Sequence, residues 1–232
     1  QPPMKSGTPM ARGFAFFPAP HGRGYLAAAV IFAVIALDQL LKFWVKTSFY
    51  LGEDLEILPF FHLRFIQNNG MAFGIELGSK LFLTGFRIVL VAFLLWYLCR
   101  IVKSLRMPMG YIVAVSLVTA GAFGNIVDCV LYGEIFTNPY PPYVAEIVPL
   151  GQGYGDWFQG LVVDMFYFPL FSFDWPQWLP LIGGKTFSFF DPVFNLADAA
   201  ITVGMAMVIL FYAKYIGMPD NDGKATEDTG AE

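Results

Sequence analysis

The sequence predicts an integral membrane protein, mainly α: a four-transmembrane-helix bundle with a small extracytoplasmic β-region and a long outer loop between helices 3 and 4. Three observations carry this. The 232 residues are 56% hydrophobic and only 14% charged, with a mean hydropathy of +0.57, which argues against an ordinary soluble domain. The apolar residues gather in four segments of about 20 residues, the length a helix needs to cross a bilayer. Aromatic residues reach 18%, as expected where much surface faces lipid or the interface.

The first apolar segment spans residues 25–45. It is too long for a signal-peptide core and lacks a small-x-small cleavage site after it, so it reads as a permanent span. Residues 1–24 read as a cytoplasmic N-terminal segment whose first residues are an expression remnant. Asp38 and Lys42 lie near the end of the span, four residues apart on one helical face. Two readings stand level: a self-neutralising pair with Lys42 snorkelling to water, or a functional pair.

Residues 46–79 mix alternation with aromatic and branched side chains, which predicts strands in an outer β-region. His62, between Phe61 and Leu63, reads as a strand residue. The run Gln67-Asn68-Asn69-Gly70 is turn-like, and its Asn-Gly pair predicts a hairpin.

The second span, 80–98, is followed by Arg100, Lys103 and Arg106 in a short loop punctuated by Pro108 and Gly110. By the positive-inside rule that loop is cytoplasmic, and Lys5, Arg12 and Arg23 agree. Both termini are then cytoplasmic. The third span, 111–131, holds Gly121, Gly124, Asn125 and Asp128 in its last third. Glycines there let helices approach closely, but an intramembrane carboxylate must face protein or a water-filled cavity.

Residues 132–189 form the long outer loop, rich in Pro, Gly and aromatics; its tryptophans predict a segment lying in the interface. Within it, Leu161 to Phe168 is an apolar run centred on Asp164, either a strand or a re-entrant turn. The fourth span, 193–215, brings Asn195 and Asp198, placed three apart on one helical face. Residues 216–232 read as a disordered, acidic cytoplasmic tail. That tail carries much of the formal charge of -4, and nothing in the composition points to nucleic acid.

With this topology Asp38, Asn68, Asn125, Asp128, Asp164, Asn195 and Asp198 all fall near the outer membrane boundary and line one site. Cys99 and Cys129 fall at opposite membrane ends and are not expected to bond; with His21 far from His62 they supply no metal site, and no cofactor is expected. There is no Ser/His pair and no phosphate loop. The remaining chemistry is that of paired aspartates, one a base on water and the other, protonated, polarising a carbonyl. That chemistry is peptide-bond hydrolysis at the membrane face. A second reading stays open, a small transporter or proton-conducting protein, because intramembrane carboxylates also mark ion routes. Gly153-Tyr154-Gly155-Asp156 matches a G-x-G-D pattern of another intramembrane aspartyl protease class, but lies in a polar loop.

Five blocks in order resemble the lipoprotein signal peptidase (signal peptidase II) family: Asp38 with Lys42; Asn68-Asn69-Gly70-Met71-Ala72-Phe73; Gly121-Ala122-Phe123-Gly124-Asn125-Ile126-Val127-Asp128; Val162-Val163-Asp164; and Phe194-Asn195-Leu196-Ala197-Asp198. The resemblance implies an aspartyl endopeptidase that cuts prolipoproteins before the diacylglyceryl-cysteine, with Asp164 and Asp198 as its catalytic pair. Asp38, Lys42, Asn68, Gly70, Asn125, Asp128 and Asn195 match supporting positions. It further implies a bacterial inner-membrane monomer whose partners are lipid-modified prolipoproteins and membrane lipid. Two departures stand out: Cys129 takes the place where the family pattern has Arg, and the connection from Asp128 to Asp164 is long.

Overall fold

The computed structural model describes residues 20–69, 80–189 and 192–218. Among them, helices α1 (Pro20–Ser48), α2 (Lys80–Ile101), α3 (Met109–Val127) and α5 (Leu196–Met207) supply four segments long and apolar enough to cross a membrane. The third segment runs on through a π-helical turn, Asp128–Tyr132, and a single-turn α4, Gly133–Ile135; the fourth runs on through Val208–Tyr212.

α3 is the axis of the bundle. α1, α2 and α5 all pack on it, and 61% of its apolar window is buried against 17% in each of the other three. The others turn large apolar side chains outward, among them Phe32 on α1, Phe82 and Val89 on α2, and Val203 on α5. In water such surface would drive association; in lipid it is the matching solvent. Close contact of α3 with α5 and α1 needs small residues. A Cβ on Gly121 would run into the Ala197 carbonyl oxygen, and one on Gly124 would meet Asp38 Oδ2 at 2.8 Å.

Two apolar clusters lie toward opposite ends of the bundle. One gathers Ala27, Leu98, Ile101, Met107, Tyr111, Ile112 and Val115 beside the α2–α3 loop. There Arg23 Nη1 donates to the carbonyls of Ser104 (2.6 Å) and Met107 (3.0 Å), tying the start of α1 to that loop. The other cluster, with Val45, Phe49, Phe65, Tyr132, Phe136, Val163 and Met165, joins the helices to a small sheet.

That sheet is antiparallel, in the order β1 (Asp54–Leu58), β2 (Phe61–Asn68), β3 (Val162–Tyr167). β1 and β2 form a hairpin through Pro59 and Phe60. The predicted hairpin at Asn69-Gly70 runs into residues outside those described; β2 itself makes its hairpin with β1, and β3 takes its other edge. The β-region is likewise not confined to 46–79, because the run around Asp164 is a strand and not a re-entrant turn. β3 is buried almost throughout, so its apolar continuity reflects a covered strand. A register shift between Leu63 and Ile66 sets Ile66 opposite Asp164; such bulges re-aim side chains near sites. Beyond β3 a separate hairpin, β4 (Phe171–Asp174) with β5 (Thr186–Phe189), exposes Trp178 and Leu181 at 79% and 92%.

Candidate active site

Each polar group reaches the site on a different element. Asp38 and Lys42 come one turn apart from α1, and Lys42 Nζ lies 2.9 Å from Asp38 Oδ2 and 2.9 Å from Asp128 Oδ2, with all three side chains fully buried. The snorkelling alternative for Lys42 is thereby excluded. A buried lysine between two carboxylates keeps its charge only because both partners are in contact with it. Each carboxylate also holds backbone. Asp38 Oδ1 accepts from Ala197 N (2.9 Å), at the start of α5, and Asp128 Oδ2 accepts from Val163 N (3.1 Å), on β3.

Lys42 Nζ also donates to Asn125 Oδ1 at 2.9 Å. Because an ammonium only donates, the Asn125 oxygen faces Lys42 and its nitrogen is left to donate to Asp198 Oδ1, at 2.8 Å. Asn195 Nδ2 donates to Asp164 Oδ1 at 2.6 Å and to Asn125 Oδ1 at 3.3 Å, while its own Oδ1 accepts from Asp198 N at 2.9 Å. Asn68 Nδ2 completes the shell by donating to Asp164 Oδ2 at 3.2 Å.

The placement of Asn195 corrects the one-face reading. It is the N-cap of α5, in extended backbone at φ -119° and ψ 179°, and meets Asp198 through the main-chain N–H. Phe194 explains why the helix starts no earlier. Its backbone pairs with Phe166, with Phe194 N to Phe166 O at 3.0 Å and Phe166 N to Phe194 O at 2.7 Å. That bridge fixes the first turn of α5, with Asp198, beside the strand that carries Asp164.

Asp164 is 1% exposed, whereas Asp198 is partly open. Burial, and then the negative charge of Asp198, push the Asp164 carboxyl up to about 7; hydrogen bonds from Asn68 and Asn195 and the charge of Lys42 act the other way. Near neutral pH the pair can therefore hold one proton, the state in which two carboxyl groups divide acid and base work.

Of the residues singled out in the sequence, Asp38, Lys42, Asn68, Asn125, Asp128, Asp164, Asn195 and Asp198 come together here; Gly70 lies outside the described residues. Asp156 is exposed. The Gly153-Tyr154-Gly155 turn packs against α4, with Gly155 N donating to Gly133 O (3.0 Å), and Tyr154 Oη accepts from Leu161 N (2.7 Å). Cys99 is exposed and Cys129 buried, and both are free. His62 lies on β2 with Nδ1 2.7 Å from Asp54 Oδ1.

Three features escaped the sequence reading. Gln39 Nε2 donates to Asp128 Oδ1 (2.9 Å) and the Gly124 carbonyl (3.1 Å), and its Oε1 accepts from Tyr132 Oη (3.1 Å). An amide next to Asp38 inside a span was the available signal. Lys46 is fully buried with its Nζ 5.0–5.9 Å from the ring centroids of Tyr154, Phe136, Phe65 and Tyr132, and it has no hydrogen-bond partner there. Arg87, inside α2, donates from Nη1 to Cys129 Sγ at 3.1 Å.

Fold and site define a multi-pass membrane protein with a carboxylate pair held by asparagines at one end of a helix bundle. The chain belongs to the signal peptidase II family: the family described as Signal peptidase (SPase) II matches residues 30–214. The Lipoprotein signal peptidase of Porphyromonas gingivalis is 43% identical over 208 residues, covering 90% of this chain and 91% of that protein. That of Amoebophilus asiaticus is 35% identical over 204 residues, covering 85% and 82%. In fold, the chain resembles a bacterial membrane enzyme solved by the in meso method at 2.3 Å resolution, with TM-score 0.55, 23% identity, and coverage of 87% of this chain and 94% of that one. Family and apolar helices together make this a bacterial membrane protein and a peptidase.

Proposed function

We propose that the chain is an aspartyl endopeptidase that removes the signal peptide from lipid-modified prolipoproteins, cutting before the diacylglyceryl-cysteine. The observation that carries this is the pairing of Asp164, buried and raised to about 7, with Asp198, through the Asn125–Asn195 bridge. The names of the relatives support the substrate class.

In this mechanism Asp198 accepts a proton from a water as its oxygen attacks the scissile carbonyl carbon. Asp164 gives its proton to the carbonyl oxygen, so no free oxyanion forms in a low-dielectric site. The tetrahedral intermediate collapses when the C–N bond breaks; the leaving nitrogen takes the proton held on Asp198, and a gem-diol proton returns to Asp164. Asn68 and Asn195 keep the Asp164 oxygens in place, and Asn125 does so for Asp198. The site lies at the outer face of the cytoplasmic membrane in this reading, supported by the cationic Arg100, Lys103 and Arg106 at the far end of the bundle, and the chain works as a monomer with both termini inside. Ion conduction is the weaker reading, since the carboxylates gather at one end and do not cross the bundle.

Separate Asp164→Asn and Asp198→Asn variants, purified in detergent, should each lose cleavage of a diacylglyceryl prolipoprotein on a gel-shift assay while melting no lower than the parent. Full activity in either variant would sink the dyad. Asp156→Asn should cleave normally.

A further inference from the structure

The first two turns of α2 carry their polar groups on one stripe. Lys80, Thr84 and Arg87 fall at spacings of four and three, one above another on a helix face. Thr84 is 1% exposed and its hydroxyl donates to the Phe158 carbonyl at 3.0 Å, so this stripe faces protein and not lipid. Arg87 sits seven residues from the helix start, about 10 Å along the axis. A guanidinium at that depth is expensive and requires acceptors.

The acceptor it has is weak. A thiol sulfur engages one of five N–H groups and carries no compensating charge. Among the described residues Arg87 makes no ion pair. The side chain is half-buried, and among the described residues Cys129 Sγ is the one hydrogen-bond acceptor it engages. Its position is next to the catalytic shell: Cys129 follows Asp128, whose carboxylate holds Val163, the residue before Asp164. α3 thus presents an uncharged, buried thiol at the place to which α2 delivers a cation.

We infer that Arg87 is a substrate-binding residue of this site, reaching across Cys129 to donate its remaining N–H groups to carbonyl oxygens of the prolipoprotein. Those oxygens belong either to the ester groups of the diacylglyceryl moiety or to the main chain near the scissile bond. This rests on the peptidase reading above. The planar fork suits paired carbonyl acceptors, which a lysine would match poorly. Lys80, two stripe positions earlier, adds positive charge at the mouth of the same stripe.

The test uses the full-length enzyme in detergent–lipid micelles with four variants: Arg87→Met, Arg87→Lys, Cys129→Ser, and Arg87→Met combined with Cys129→Arg. Arg87→Met should lose about 10- to 100-fold in kcat/KM, the effect of one charged hydrogen-bond donor, mainly through KM. Arg87→Lys should recover little of it, and Cys129→Ser should be near parental. The double variant, with guanidinium placed on α3, should regain most of the loss, which a purely structural role for Arg87 would not produce. Parental activity in Arg87→Met, or a double variant no better than Arg87→Met, would overturn the inference. A dialkyl-ether substrate, which lacks ester carbonyls, separates the sources: an Arg87→Met deficit that vanishes on it assigns the esters, and one that persists assigns the main chain. Failure of the dyad itself would show differently, as cleavage by Asp164→Asn or Asp198→Asn with Arg87 intact.

Discussion

Asn195 grips Asp164 at 2.6 Å with the same amide whose oxygen caps the helix that carries Asp198. One side chain thus sets the position of both carboxyl groups. Asn195→Ala should lose at least about 100-fold in kcat, on the scale of misplacing a reacting group by an ångström. It should also destabilise the protein by about 1–2 kcal/mol through the lost cap. Steady-state cleavage and thermal melting in the same detergent check both halves. Unchanged kcat with a lowered melting point would reduce Asn195 to a cap.

The proton on Asp164 gives a pH signature. Its folded-state value, about 7, lies above the ordinary carboxylate range, so the folded protein binds this proton more tightly than the unfolded chain. Stability contributed by the neutral carboxyl is therefore complete below about pH 4, is lost as pH rises, and is gone above about 7; the total is up to about 4 kcal/mol. Cleavage should fall as pH rises through about 7. Asp164→Asn, inactive throughout, should melt higher than the parent at pH 8 and close to it at pH 4. Parental and variant melting curves that run parallel across this range would refute the assignment of the proton.

Lys42 balances two buried carboxylates, so its removal leaves them facing each other in the protein interior. Lys42→Met should destabilise the fold by about 3–5 kcal/mol. Adding Asp128→Asn to that variant should recover part of the loss by removing one uncompensated charge. A denaturation series in mild detergent reads the difference, and a double variant less stable than Lys42→Met would contradict the arrangement.

Lys46 behaves differently because aromatic faces, not hydrogen bonds, surround its ammonium group. Lys46→Met keeps the volume and places a sulfur among rings, so stability should change by less than about 1.5 kcal/mol. Lys46→Ala should cost about 2–5 kcal/mol from the cavity it opens. Equal losses in both variants would show that the charge itself holds the loop containing Tyr154 against α1.

Most of the site was legible because a carboxylate or carboxamide inside an apolar segment has no innocent explanation. Asp38, Asn125, Asp128, Asp164 and Asp198 each stood out by that rule, and hydropathy gave the segments that carry them. What it missed depended on partners remote in sequence. Asn195 looks like a helix-face residue until the backbone of Phe194 is seen paired with Phe166, which delays the helix by several residues. The run around Asp164 left a strand and a re-entrant turn open, because the strand it pairs with, β2, lies almost a hundred residues earlier. Local preference is a weak guide where tertiary pairing decides. Lys46 was hidden for another reason: a cation near a span end usually serves as an interfacial anchor, and only the packing shows it turned inward. Arg87, seven residues into α2, carried the signal of an intramembrane charge and was passed over.

The backbone bridge between Phe166 and Phe194 also sets the spacing of the two carboxyl groups. Phe166 lies two residues after Asp164 and Phe194 four before Asp198, and the two are joined by a pair of main-chain hydrogen bonds. Changing the distance between strand and helix would mean breaking both bonds, so the relative placement of the proposed dyad is built into the backbone and does not depend on side-chain contacts alone.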